Sequence, residues 1–248
     1  MSSSSSSLRE QTILELRSRM YGIRAQTRSA DGPCPVPTGL SALDQLLPAG
    51  GIPQGAVVEW ISPQAGQAAG SLALRASAGL LQRPGCLTVI DQGNEFHPAC
   101  AEAQGIPLSR ILLVRIPAVA AAKSRSYSTG HDHGTVQGQW LWALEQAAGS
   151  RGVRVVLAWL PRATTSVVRR LQLAVESSLV TVMLLRPAAA LRQASFADLR
   201  LMTQRQVRPE GKIGEPDRIQ VTLLRSRGGV HEQNSILLRQ YADGRFAE

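Results

Sequence analysis

The stretch from Thr38 to Leu72 constrains the fold more than any other part of this 248-residue chain. It predicts a short helix, a glycine-rich turn (50–55), a buried strand at Ala56–Ile61, a loop of small residues at Ser62–Gly70 and the start of a helix. A strand that leads through a small-residue loop into a helix is the arrangement of phosphate-binding loops, whose backbone N–H groups face an anion. An α/β fold organised around this unit is therefore expected.

The loop lacks the side chains that such loops use to hold a triphosphate. In the pattern G-x-x-x-x-G-K-[ST], Ser62 and Gln67 stand at the glycine positions, and Ala68 and Ala69 stand at the Lys and Ser/Thr positions. The lysine for the β- and γ-phosphates and the hydroxyl for Mg²⁺ are both missing. A different register does not restore the lysine, because no lysine precedes Lys123 in the sequence.

A set of well-spaced residues gives this stretch a family resemblance. The set is Thr38-Gly39, Leu43-Asp44, Gly50-Gly51, Pro53, Gly55 and Glu59. In this order the residues resemble the opening of the ATPase core of RecA-type recombinases. The resemblance implies a RecA-like, mostly parallel twisted sheet flanked by helices over residues 38–240, with an N-terminal helix before it and antiparallel strands at its C-terminal end.

Two further positions at which that family carries catalytic residues also differ. The predicted strand Cys86–Asp91 is followed by Gly93 where the family has its catalytic glutamate, and Glu95 lies two residues further on. The apolar strand Val153–Leu160 places Trp159 where an aspartate would bind hydrated Mg²⁺. Together with Ala68, these differences imply a degenerate nucleotide site. We therefore expect a protein that is not an enzyme, with no catalytic residue, cofactor or metal.

The rest of the chain divides into extensions and an insert. Residues 1–37 are predicted to hold a disordered serine tract, a basic amphipathic helix at Leu8–Arg28 and a proline-rich linker, and residues 241–248 form a short tail. An insert at Ala118–Thr135 contains His131 and His133. Two histidines without further Cys or His support favour an exposed loop over a metal site.

The chain carries a net charge of +9, almost all of it from arginine. An arginine excess suits contacts with phosphate or with an acidic protein surface, although codon bias is an alternative reason for the ratio of Arg to Lys. Aromatic residues make up only 4% of the chain, so base stacking is scarce and nucleic-acid binding would be sequence-independent. The candidate phosphate contacts are Arg205, Arg208, Lys212, Arg218, Arg225 and Arg227.

Targeting signals are not apparent in the sequence. There is no apolar run of about 18 residues that could span a membrane, and the N-terminus lacks the features of a secretory signal. Cys34, Cys86 and Cys100 are scattered and are interpreted as free thiols. A cytoplasmic location is expected.

A RecA-like core that lacks catalytic residues, in a chain of this length with a basic N-terminal helix, is similar to the ImuA family. The resemblance implies a non-catalytic accessory protein of SOS mutagenesis and translesion DNA synthesis. Its implied partner is an ImuB-like inactive Y-family polymerase, with RecA, an error-prone polymerase α subunit and single-stranded DNA as further candidates. The surface that we expect to bind partners is Arg225–Glu248. The alternatives are a SulA-like cell-division inhibitor and a divergent RecA-type ATPase.

Overall fold

Nine strands and five α-helices make up the described part of the computed structural model, which covers residues 34–64, 66–115, 136–206, 215–227 and 234–247. The helices are α1 (Ser41–Leu46), α2 (Ala69–Leu80), α3 (Pro98–Ala103), α4 (Val136–Gly149) and α5 (Thr165–Ser178). The strands are β1 (Val57–Ser62), β2 (Cys86–Asp91), β3 (Ile111–Arg115), β4 (Val153–Trp159), β5 (Thr181–Pro187), β6 (Leu199–Gln206), β7 (Asp217–Ser226), β8 (Ser235–Gln240) and β9 (Phe246–Ala247).

The strands form one mixed sheet in the order β3-β2-β4-β5-β1-β6-β7-β8-β9. The first six strands in this order are parallel, and β6 to β9 are joined by antiparallel pairing. This confirms the predicted mostly parallel sheet with antiparallel strands at its C-terminal end. β1 lies between β5 and β6, so the loop that follows β1 leaves the sheet near its middle.

Helices cover both faces of the parallel part of the sheet. Helices α1, α2 and α3 share one hydrophobic cluster with one face, and α4 and α5 share a second cluster with the other. Strands that are buried on both faces are continuous apolar runs, as in Val153–Trp159. The apolar runs of the sequence therefore mark the central strands, and their carboxyl ends form the edge at which open α/β sheets bind ligands.

Two glycines of the stretch Thr38–Leu72 let other backbone segments approach the chain closely. Gly55 has a φ of +64°, and a Cβ on it would lie 2.9 Å from the carbonyl oxygen of Val175 in α5. A Cβ on Gly51 would lie 2.6 Å from the carbonyl oxygen of Val36. The turn before β1 therefore requires glycine at both positions, which explains part of the resemblance noted above.

The tail after β8 lies on the sheet. Gln104 Nε2 donates a 2.7 Å hydrogen bond to the Gly244 carbonyl, and β9 pairs with β8. The described part of the tail, residues 241–247, is thus continuous with the core sheet.

Several predicted features fall outside the described residues. They are the serine tract, the helix at Leu8–Arg28 and the insert at Ala118–Thr135 with its two histidines. Within the described ranges, no group of three or more His, Cys, Asp or Glu side chains could hold a metal ion. No helix of those ranges is long and apolar enough to cross a bilayer.

Candidate functional site

The loop between β1 and α2 keeps the path of a phosphate-binding loop. β1 ends at Ser62 and α2 begins at Ala69, with Ala68 at the N-cap in the left-handed conformation (φ +63°). No side chain caps this helix, and Ala68 and Ala69 are each only 8% exposed. Methyl groups therefore occupy the helix N-terminus, where a phosphate-binding loop would present a lysine and a hydroxyl.

Both ends of the loop are hydrogen-bonded to the neighbouring strand β6. Ser62 Oγ lies 3.1 Å from Thr203 Oγ1, and Gln67 Oε1 accepts a hydrogen bond from the Arg205 backbone N–H. Ser62 and Gln67, which replace the two glycines of the pattern, thus tie the loop to the sheet. These contacts use polar atoms that would otherwise be available to a ligand.

An apolar wall faces the start of α2. Trp159 at the end of β4 lies opposite Leu185 of β5, and it packs against the cluster that contains Ala68 and Ala69. A Leu185 methyl group lies 3.7 Å from the position that a Cβ on Gly70 would take. An indole and a leucine offer no oxygen ligand, so this wall is unsuited to hydrated Mg²⁺.

The loop after β2 holds two carboxylates with different roles. Asp91 is buried and accepts hydrogen bonds from the backbone N–H groups of Glu95 and Phe96, at 2.9 and 3.3 Å. Glu95 is exposed, and its Oε2 lies 3.5 Å from the position of a Cβ on Gly93. Partial burial, with a smaller contribution from Asp91, raises the pKa of Glu95. Asp91 is therefore a structural carboxylate. The carboxylate of Glu95 lies close to the place that a side chain at position 93 would occupy.

Cations near the loop are engaged elsewhere. Arg75 lies in α2, and its Nη2 donates a 2.9 Å hydrogen bond to the Gly39 carbonyl. Arg205 gives the loop its backbone N–H, while its guanidinium lies 3.3 Å from the carboxylate of Asp217. Both guanidinium groups near the loop therefore have partners within the protein.

The four candidate phosphate contacts that lie in the described residues do not form one patch. Arg205 and Arg218 lie where β6 ends and β7 begins, beside the β1–α2 loop, whereas Arg225 and Arg227 lie at the other end of β7. Arg218 and Arg225 are seven positions apart on an extended strand, which places them about 23 Å from each other. Arg208 and Lys212 lie outside the described residues.

The second pair of arginines makes structural contacts. Arg225 Nη1 donates a 2.5 Å hydrogen bond to the Ser195 carbonyl. Arg227 Nη1 lies 3.1 Å from Glu176 and 3.2 Å from Asp198. These contacts connect β7 to α5 and to the start of β6, so Arg225 and Arg227 stabilise the fold at that end of the sheet.

A buried ionic triad was not recognised in the sequence. Glu59 of β1 is fully buried, and it accepts 2.7 Å hydrogen bonds from Arg186 Nη1 of β5 and from Arg200 Nε of β6. Burial lowers the pKa of Arg186, and the negative charge of Glu59 opposes that effect. A signal was present, since a glutamate inside the apolar run 57–61 is unusual unless a partner neutralises it.

Curated proteins with similar sequences are RecA proteins. RecA of Lactobacillus delbrueckii subsp. bulgaricus is 38% identical over 78 residues, which are 32% of this chain and 23% of that protein. RecA of Lactobacillus acidophilus is 37% identical over 78 residues, or 21% of its length. The chain is RecA-like. No protein-family model matches it.

The similarity between this RecA-like chain and the RecA proteins is partial. The alignment spans about a fifth to a quarter of the length of these relatives, and RecA of Levilactobacillus brevis is matched over 20% of its length. The alignment shows that part of the chain is similar in sequence to RecA, and the mostly parallel mixed sheet is consistent with a RecA-like fold.

Proposed function

We propose that this RecA-like chain is a non-catalytic accessory protein of translesion DNA synthesis in the SOS response, of the ImuA type. In this role it holds an ImuB-like inactive Y-family polymerase, with RecA and an error-prone polymerase α subunit as further partners. The observation that carries the proposal is the pair of buried alanines, Ala68 and Ala69, at the start of α2, with Trp159 packed against the same hydrophobic cluster. A scaffold without a phosphate cradle retains its surfaces, which suits a role in binding other macromolecules.

The electrostatic surroundings of the β1–α2 loop also support the proposal that the chain does not bind nucleotide. A triphosphate that enters this edge of the sheet would exchange water for methyl groups and an indole. The described cations beside the loop, Arg75 and Arg205, already have partners within the protein. The loop's own polar side chains, Ser62 and Gln67, already bond to β6. The site therefore offers few interactions that would offset the hydration free energy that a triphosphate loses on binding.

Isothermal titration of the full chain with ATP and Mg²⁺ is expected to give a Kd weaker than about 1 mM, corresponding to less than about 4 kcal/mol of binding free energy. The reason is the absence of the loop lysine at Ala68 and of a metal ligand at Trp159. Turnover is measured in parallel by phosphate release. Micromolar affinity with turnover, lost in Glu95→Gln, would instead establish a divergent ATPase that uses Glu95 as its base.

The accessory role is tested in cells and with purified proteins. Deletion is expected to lower the frequency of damage-induced mutation and to leave the spontaneous frequency unchanged, with restoration by the full chain. The full chain should also co-purify with the ImuB-like protein of the same organism when the two are co-expressed. Arrest of cell division on overproduction, without an effect on mutagenesis, would favour the SulA-like alternative.

A cross-strand pair of arginines supports direct binding of single-stranded DNA as a second candidate function. Arg218 and Arg239 lie directly opposite each other on β7 and β8, and both are exposed. Like charges in this position destabilise a sheet unless an anion neutralises them. The positions on β6, β7 and β8 that share this face carry no carboxylate; they are Met202, Gln204, Gln206, Arg218, Gln220, Thr222, Leu224, Ser235, Leu237 and Arg239.

Binding of a labelled oligothymidylate should weaken with salt, with a log–log slope of about −0.7 for each phosphate neutralised. Arg218→Gln combined with Arg239→Gln is expected to make the slope less steep by about 1.4, because two phosphate contacts are lost. Arg245→Gln is the matched control, since its guanidinium is held 2.6 Å from Asp243. An unchanged slope in the double variant would exclude this face as the DNA contact.

A further inference from the structure

The segment that joins β5 to β6, residues 188–198, crosses the sheet beside α5 and is tied to that helix. Thr165 Oγ1 donates a 3.4 Å hydrogen bond to the Ala194 carbonyl, near the start of the helix. One turn further on, the guanidinium of Arg169 lies over the ring of Phe196, 5.3 Å from its centre. Near the end of the helix, Arg227 bridges Glu176 and Asp198. We call the surface formed by α5 and residues 188–198 the α5–crossover surface.

The buried ionic triad holds the crossover segment from beneath. Arg200 Nη2 donates a 2.6 Å hydrogen bond to the Ala190 carbonyl, and Arg186 Nη2 donates one of the same length to Gln193 Oε1. Both guanidinium groups are fixed in turn by Glu59. The crossover segment therefore has little conformational freedom left to lose when something binds to it.

This rigid surface exposes apolar side chains, with arginines at one end of it. Leu173 of α5 is 50% exposed, and Leu191 and Phe196 of the crossover segment are 41% and 43% exposed. Arg162 and Arg192 lie within three residues of the Thr165–Ala194 hydrogen bond, and both are exposed. Neither arginine forms an ion pair with an acid of the described residues.

We propose that the α5–crossover surface binds an acidic, partly apolar segment of a partner protein. Aromatic and arginine side chains on preorganised backbone are typical of the energetically dominant part of protein interfaces. Charge complementarity indicates an acidic segment, because Arg162 and Arg192, which pair with no acid among the described residues, lie at one end of the row of apolar side chains. A nucleic acid fits less well, since Leu173 and Leu191 would meet no aliphatic surface and Arg169 already covers one face of the Phe196 ring. The inference rests on the proposed accessory role and supplies its docking site.

The test uses the full chain and a fluorescein-labelled amphipathic peptide of about 16 residues, with leucines at helical spacing and glutamates elsewhere. One control peptide replaces Glu with Lys, and a second replaces Leu with Ser. Phe196→Ala and Leu191→Ser are each expected to weaken binding of the acidic peptide by at least about tenfold. Phe196→Tyr, which keeps the ring, should bind like the parent. Leu112→Ala, at a 53% exposed leucine on β3, is the matched control.

The outcomes separate this surface from its alternatives. Equal binding by the parent chain and by Phe196→Ala, equal affinity for the three peptides, or no binding of the acidic peptide would overturn the proposal. Loss of oligothymidylate affinity in Phe196→Ala, with no change for the peptide, would assign the surface to nucleic acid instead. Failure of the parent chain to bind the ImuB-like protein, with peptide binding intact, would reject the proposed function and leave this docking site standing. Because both variants are at exposed positions, their unfolding midpoints should match the parent's.

Discussion

Replacing Glu59 with alanine is expected to lower the free energy of unfolding by about 3–5 kcal/mol, as when one partner of a buried ion pair is removed. The side chains of Glu59 and Arg186 are 0% and 2% exposed, and that of Arg200 is 11% exposed. The alanine variant leaves both guanidinium groups buried without an anion, and it also loosens the crossover segment that they hold. Urea unfolding followed by circular dichroism measures the change.

The matched control is Glu176→Gln, which removes a carboxylate from an ion pair with Arg227 at the surface. The Glu176 side chain is 41% exposed, so this variant should lose less than about 1 kcal/mol. A similar small loss in Glu59→Ala would show that water reaches the two arginines, and the triad would then not fix residues 188–198. Glu59→Gln should fall between the two, because it keeps the shape and loses only the charge.

Gly79→Ala is expected to destabilise the fold by about 1–3 kcal/mol, although a glycine in a helix usually gains stability from this change. A Cβ at Gly79, in the last turn of α2, would lie 2.3 Å from the Pro37 carbonyl oxygen. The backbone at Pro37 passes too closely over the helix to admit a methyl group. Urea unfolding midpoints give the comparison.

Gly70→Ala is the control for this substitution, since its added methyl would meet only Leu185 at an ordinary 3.7 Å. It should be neutral or stabilise the chain by up to about 1 kcal/mol. Equal stability of the two variants would mean that the segment before α1 moves aside at little cost.

The sequence carried most of the information on strand identity. The strands Cys86–Asp91 and Val153–Trp159 are apolar runs, and their ends differ from prediction by at most one residue because burial on both faces leaves little ambiguity. The β1–α2 loop could also be located, since its pattern is local. The alternating pattern at Phe196–Arg205 also predicts a strand, but β6 begins only at Leu199, because the residues directly before it form an irregular segment tied to α5.

The long-range contacts could not be predicted from the sequence alone. Glu59 meets Arg186 and Arg200, which are 127 and 141 residues further along the chain, and no local pattern links them. Grouping Arg218 with Arg225 followed their closeness in sequence, but an extended strand separates its two ends widely. Arg239 escaped notice because its pairing with Arg218 depends on the register of β7 and β8.

The central position of β1 has a consequence for how the chain acquires its structure during synthesis. Of the described strands β1 leaves the ribosome first, yet its two neighbours are β5 and β6. Val58 therefore cannot pair until Met183 and Leu199 have been synthesised. Closing such long loops is slow, so an apolar strand stays unpaired while most of the chain is still being made. In nascent chains β1 is therefore an exposed apolar segment of the kind that chaperones shield until its partners emerge.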